Sequence, residues 1–345
     1  MMHIDPESVE GKLSRRSFIA RGGVAVALFT AGVPLLSFQK NNLMTEQNTY
    51  DVIIIGGSYA GLSAAMALGR SLRKTLIIDS GLPCNRQTPQ SHNLITQDGV
   101  PPAEIAAIAK GQVLKYDTVQ FIHDQALTAR KIGTAFEVAT KSGERFNASK
   151  ILFTAGIKDL LPEIDGVTAC WGISVIHCPY CHGYEYSHQK TGILANGDVA
   201  FEMGKLISNW TEQLTILTNG KSTIQAAERD KLVKHGINIV EDEIERLEHQ
   251  DGHLRKVIFK NRAELEINAM YARPAFVQHT DIPEMLNCEF TEQGHIKVDA
   301  FQKTTIEGAY AAGDSTSAMR SVSNAISAGA MAGAMINREL IEERF

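Results

Sequence analysis

The stretch His177-Cys178-Pro179-Tyr180-Cys181-His182-Gly183 has the residue types and spacing that can do chemistry. Two cysteines separated by two residues close a small disulfide ring, and the pair takes up or releases two electrons by thiolate attack through a mixed disulfide. The same letters satisfy C-x-x-C-H, the pattern of c-type haem attachment. His177, Cys178, Cys181 and His182 also form a four-donor zinc set, although four near-neighbours cannot easily face one ion without a strained loop. His177 itself reads as a packed strand residue rather than a catalyst.

A dithiol that cycles needs a partner for its electrons, and the flanking elements suggest where one binds. Asp51 to Ile55 is apolar and β-branched, predicting a buried parallel strand, and it stops at Gly56-Gly57-Ser58-Tyr59-Ala60-Gly61. A helix with a small-residue face follows, then a strand over Thr75 to Ile78 and Asp79, 23 positions after Gly56. Strand, glycine turn, helix, strand and acid is the layout of a dinucleotide-binding unit. Its glycines let the backbone approach a pyrophosphate at the helix N-terminus, and its acid accepts hydrogen bonds from ribose hydroxyls. Ser58 replaces the middle glycine.

A polar stretch over 81–99, with Asn85, Arg86, His92 and Asn93, suits either a cofactor-contacting loop or a solvated one. A helix is expected from Pro101 to Tyr116. Three short strands follow, around Phe121, Phe136 and Ile151, the last ending at Thr154-Ala155-Gly156. A second unit runs from Lys190 to Thr218, but Ala195 stands in its first glycine position. Asn219-Gly220-Lys221 then offers neither an arginine cluster for a 2′-phosphate nor an acid for a 2′-hydroxyl, leaving NADPH or NADH binding there open. Beyond it, a helix and strands near 237–240, 254–260 and 264–271 lead to a short strand ending in Gly313-Asp314. A small-residue helix over 321–340 closes the chain.

The chain has 345 residues, 44% hydrophobic and 21% charged, enough for two domains with large cores. A net charge of -5 gives no reason to expect nucleic acid as a partner. Ser14-Arg15-Arg16-Ser17-Phe18-Ile19, followed by an uncharged run from Gly22 to Gln39, is a twin-arginine export pattern. Residues 1–43 are therefore expected to direct export to the periplasm or to anchor the chain. A start at Met44 would leave it cytoplasmic. Of the five cysteines, Cys84, Cys170 and Cys288 have no pairing pattern.

Taken together, the glycine turn at 56–61, Asp79, Thr154-Ala155-Gly156, Cys178 to Cys181 and Ala311-Ala312-Gly313-Asp314 resemble the thioredoxin reductase family in order and spacing. Cys-Pro-Tyr-Cys-His-Gly-Tyr-Glu and Leu217-Thr218-Asn219-Gly220 are similar to the branch with gliotoxin-type dithiol oxidases. The resemblance implies an α/β fold with two Rossmann-like dinucleotide-binding domains, the second inserted into the first. The FAD domain would span 48–160 and 272–345, and a nicotinamide-type domain over 161–271 would carry the dithiol. It implies FAD held by Gly56, Gly57, Ser58, Gly61 and Asp79, with Gly313 and Asp314 at the pyrophosphate or ribityl chain.

In the family the second cysteine, here Cys181, lies against the flavin, and Cys178 would meet the partner sulfur. Usual members follow with an aspartate as proton carrier; His182 stands there instead and can take a proton from an incoming thiol. A homodimer and rotation between domains are also implied. The expected activity is FAD-dependent thiol-disulfide exchange, favouring oxidation of a small dithiol over NAD(P)H-driven reduction of a thioredoxin-like protein. A non-catalytic flavin-binding redox sensor is the alternative from another class, but it would not need a paired dithiol.

Overall fold

The computed structural model describes residues 48–345, so the twin-arginine segment lies outside the described residues. β-Branched runs form the centre of the first sheet. Strands Thr49–Ile55, Thr75–Asp79, Val119–His123 and Arg145–Phe153 lie parallel, with Ile54 opposite Ile77 on one side and Leu152 on the other. Both faces are covered, which is why these strands read as continuous apolar runs. Val52 and Ile54 pack toward the helices, whereas Ile53 and Ile55 pack with Phe136, Phe153 and Ile282 on the opposite face.

The strand Arg145–Phe153 is long enough to serve two neighbours along one edge. Its start pairs antiparallel with Ala135–Thr140 and its end pairs parallel with Ala309–Ala311. A further strand, Ala126–Ile132, extends the antiparallel edge. The sequence concealed it because only Ala126 and Ala129 of its seven residues are buried, leaving no apolar periodicity to detect.

The C-terminal helix Val322–Glu342 lies directly on the helix Tyr59–Arg70, and glycine permits the contact. A Cβ at Gly329 would sit 2.1 Å from the Ala60 carbonyl oxygen, and one at Gly333 would sit 2.6 Å from that of Ala64. The far end of this helix is tied to the sheet by a part-buried charge cluster. Lys150 Nζ donates to Glu339 and Glu343 at 2.5 Å each, and the Tyr310 hydroxyl donates to Glu339 at 2.6 Å.

A second parallel sheet runs in the order Asn238–Val240, Leu214–Leu217, Thr191–Leu194, Ala269–Ala272, Val175–Ile176. The single strand expected over 264–271 is two. Leu265–Glu266 completes a three-stranded antiparallel sheet with Ile244–Gln250 and His253–Phe259, while Ala269–Ala272 turns into the parallel one. The chain crosses between the two parallel sheets through a ribbon of Ile157–Leu160 paired with Ala275–Gln278. No helix among the described residues is long and apolar enough to cross a membrane.

Candidate active site

The first glycine turn sits at the carboxyl ends of the parallel strands, where doubly wound sheets bind ligands. Gly56 has φ +106°, and a Cβ there would lie 2.5 Å from the Thr154 backbone. A Cβ at Gly61 would meet the Gly56 carbonyl oxygen at 2.0 Å. Asp79 is fixed by the loop it serves: its carboxylate accepts from Gly57 N at 2.8 Å and from Gly81 N at 3.1 Å. The Thr154 hydroxyl donates to the Gly56 carbonyl at 2.7 Å, joining the strand ends beneath the turn.

Two adjoining cavities open from this turn. The larger, about 580 Å³, is lined by Gly56, Gly57, Ser58 and Asp79, with Arg86 and Lys110 supplying positive charge. The smaller, about 140 Å³, is lined by Gly313 and Asp314 together with Cys181 and His182. Ser58, Tyr59, Thr154 and Ala155 border both. The tertiary structure thus brings the glycine turn, the Gly-Asp pair and the second cysteine to one cleft. An elongated, partly cationic cleft with a glycine cradle is the form an FAD would require, so the residues present fit that group.

Cys178 precedes the four-residue helix Pro179–His182, and its Sγ lies 2.7 Å from that of Cys181. The Cys181 S–H, with the backbone N–H groups of Cys181 and Tyr180, pulls Cys178 down to about 7, against a burial that opposes it. Cys181 is pushed far up, first by its role as donor to Cys178 and then by burial. In the dithiol form Cys178 is therefore the more readily ionised of the two thiols, and Cys181 the one that keeps its proton. His182 is pushed down by burial, with Glu185 opposing.

Several cleft residues carried little signal in the sequence. His177, read there as a packed strand residue, follows the short strand Val175–Ile176 and lines the cavity with its Nε2 buried and unpartnered. Burial and then the Arg320 cation hold it down to about 3. Arg320 forks onto Asp159, Nη1 to Oδ1 at 2.7 Å and Nη2 to Oδ2 at 2.9 Å, with its Nε 3.6 Å from Asp314. Burial works against its charge, and the Asp159 carboxylate overrides that. A lone arginine before a helix gives no hint of this in sequence. The polar stretch 81–99, for which two readings stood open, supplies cleft walls from Cys84 to His92.

The second glycine turn differs. The Asn196 side-chain oxygen accepts from Gly197 N at 2.9 Å and from Thr223 N at 2.8 Å, while its Nδ2 donates to the Lys221 carbonyl at 2.9 Å. Its amide therefore bridges the turn to the loop after the next strand and occupies one N–H of the turn, that of Gly197. Asn219 is also committed, accepting from Ile244 N at 2.7 Å.

With this geometry, comparison with known proteins is decisive about family. The family model described as pyridine nucleotide-disulphide oxidoreductase matches residues 50–329. The chain belongs to that family. Among its relatives, thioredoxin reductase tcpT of Claviceps purpurea is 28% identical over 87% of this chain and 97% of its own length. Thioredoxin reductase aclD of Aspergillus oryzae is 30% identical over 84% and 96%. The crystal structure of the putative thioredoxin reductase TrxB from Bacillus anthracis superposes with a TM-score of 0.82 at 32% identity, covering 86% of this chain and all of that one.

The chain is thus an FAD-dependent disulfide oxidoreductase of thioredoxin reductase type, with NAD(P)H the family's usual second cofactor, and the non-catalytic sensor reading falls away. The α/β fold with Rossmann-like units agrees with the expectation. No group of three or more His, Cys, Asp or Glu among the described residues is arranged to hold a metal ion, so the zinc reading of the heptapeptide gains no support.

Proposed function

We propose that this oxidoreductase runs toward oxidation: a small dithiol reduces the Cys178–Cys181 disulfide, and the electrons leave through FAD to oxygen or another acceptor. The observation that carries the reading is the second glycine turn, where Ala195 stands in the first glycine position and the Asn196 side chain occupies Gly197 N and ties the turn to Lys221 and Thr223, which weakens it as a pyrophosphate cradle. Twin-arginine export, if residues 1–43 act as their pattern suggests, supports the same direction because reduced nicotinamide is not supplied outside the cytoplasm.

In this scheme the Cys178 thiolate exchanges with the substrate sulfur, and Cys181, lining the cleft, passes electrons inward. When bound, FAD supplies the two-electron acceptor. His182 accepts a thiol proton beside the dithiol, while His177 and Arg320 border the same cavity as a neutral donor-acceptor and a fixed cation. Gly56, Gly57, Ser58, Gly61 and Asp79 hold the dinucleotide, and Gly313 and Asp314 meet its pyrophosphate or ribityl chain. We assign 48–160 with 272–345 to the FAD domain and 161–271 to the inserted domain, and a homodimer as the assembly.

The test is anaerobic mixing of the yellow protein with dithiothreitol, NADPH or NADH in turn. Bleaching of the flavin by dithiothreitol and not by either nicotinamide is expected. Bleaching by NADPH within seconds would instead make the chain a reductase of a thioredoxin-like protein.

A further inference from the structure

The stretch 161–271 carries the second parallel sheet and the dithiol, whereas the first glycine turn and the Gly-Asp pair belong to the rest of the chain. Electron exchange with FAD requires Cys181 to face the smaller cavity, which Gly313 and Asp314 line from the other side. Little holds it there. Apart from the chain itself, no hydrogen bond among the described residues joins 161–271 to the rest. One ion pair among them does: His92 Nε2 lies 3.4 Å from Glu185 Oε1.

Both ends of that pair are anchored. On the His92 side, Ser91 N donates to the Val100 carbonyl at 2.9 Å and Asn93 N to Asp98 Oδ1 at 2.7 Å. The Ser323 hydroxyl donates to the Asn93 carbonyl at 2.8 Å, which fastens this loop to the C-terminal helix. Asp98 Oδ2, 3.5 Å from Nδ1, holds the other ring nitrogen, so Nε2 is the one left for Glu185. On the Glu185 side, its carbonyl accepts from Gln189 Nε2 at 2.9 Å. The next residue, Tyr186, packs against the core around Ile193 and donates its hydroxyl to the Ile173 carbonyl at 2.9 Å. Glu185 follows His182 by three positions, so a hold on its side chain acts on the dithiol turn.

The same loop meets 161–271 a second time, through packing. Gly172 has φ +78°, and a Cβ there would lie 3.1 Å from Thr88 Oγ1 and 3.2 Å from Gln87 Cγ. Close contact of this kind excludes water but gives no directional hold. Parts of one chain that meet without a large apolar interface move relative to each other by default. The His92–Glu185 side chains are 18% and 36% exposed, so salt screens them less than a free surface pair.

We propose that His92 and Glu185 are a positioning pair: together they hold the dithiol turn against the smaller cavity and keep Cys181 where it passes electrons. Neither side chain touches a reacting atom. The inference rests on the reading that Cys178 and Cys181 exchange electrons with FAD. It holds for either direction of that exchange, because both directions need the same approach.

The experiment uses the FAD-loaded full chain carrying His92→Gln, Glu185→Gln or both. Amide hydrogen exchange followed by mass spectrometry reads how often the two parts separate. Each single variant should speed exchange about two- to fivefold, the range expected for loss of one such pair. It should do so over 84–92 and also over 171–176, because the Gly172 contact opens together with the Glu185 one. The double variant should exchange no faster than either single one, since the two side chains share one interaction. In anaerobic mixing with dithiothreitol, the limiting rate of flavin bleaching should fall about twofold as the closed population shrinks, while the dithiothreitol concentration at half-saturation is unchanged. Wild-type exchange in both single variants, faster exchange confined to 84–92, additive effects in the double variant, or an unchanged limiting rate would each overturn the positioning role. If one single variant does not fold, the other decides by its exchange over 171–176 and its limiting rate. A wild-type flavin that dithiothreitol never bleaches overturns the electron-exchange reading and the positioning role with it, whereas normal wild-type bleaching with unaffected variants removes only the positioning role.

Discussion

Replacing Cys181 by alanine should raise the pH at which Cys178 becomes reactive, because the inner thiol is the main reason the outer one ionises early. The S–H of Cys181 points at a sulfur 2.7 Å away and, with two backbone N–H groups, lowers Cys178 from an ordinary 9.0 to about 7. At pH 7 about half of Cys178 is then thiolate, against roughly 1% of an ordinary thiol, a gain of about 50-fold. Nucleophilicity per thiolate falls as basicity falls, with a slope of about 0.4–0.5, which takes back roughly six- to tenfold. The net advantage is about five- to eightfold.

Alkylation of the dithiol form by iodoacetamide across pH, with the modified peptide located by mass spectrometry, measures this directly. Cys170 and Cys288 are pushed up by burial and should stay silent. Cys84 is open in surface area but crowded by the cleft walls, and desolvation and then the Asp314 carboxylate raise it to about 11. Cys181→Ala should shift the Cys178 midpoint back toward that of a free thiol, whereas Cys181→Ser, which keeps a hydroxyl donor, should shift it much less. An alanine variant with the wild-type midpoint, or first alkylation at Cys181, would show that the two sulfurs are not arranged as argued.

Three further outcomes follow from the packing. Burial opposes the charge of Glu339, but hydrogen bonds from Lys150, Lys303 and Tyr310 prevail and hold it down to about 2. Because this folded value is depressed from 4.5, its stabilisation is fully present above that pH and is lost as pH falls toward 2. After discounting for partly exposed partners it amounts to roughly 2 kcal/mol, and acid melts of Glu339→Gln should lack that portion of the pH dependence. Gly329→Ala would place its Cβ 2.1 Å from the Ala60 carbonyl oxygen, must push a pair of helices apart and should cost about 1–3 kcal/mol, seen as a lower Tm. Asp79→Ala removes the acceptor for Gly57 N and Gly81 N, and FAD titration should show affinity weakened by about tenfold or more.

Local chemistry made much of the site legible before any fold was known. A glycine turn after an apolar strand has few uses other than bringing backbone near a ligand, and a C-x-x-C pair carries its own redox chemistry. Gly56, Asp79, Cys178 and Cys181 therefore stood out by type and spacing. The central strands were equally visible because burial on both faces makes them continuously apolar, whereas the exposed edge strand Ala126–Ile132 left no pattern.

What sequence could not determine was convergence. Arg320 reaches Asp159 across 161 positions, and His92 reaches Glu185 from another region of the chain, contacts that no local pattern encodes. The contacts of Asn196 likewise come only from the tertiary structure: as a letter it stands at an unspecified position of the turn, but folded, its amide bridges Gly197, Lys221 and Thr223. Sequence specifies which groups can ionise, donate or ligate. The packing of helices and sheets decides which of them share a cleft, lose their water and so acquire a partner or a shifted charge.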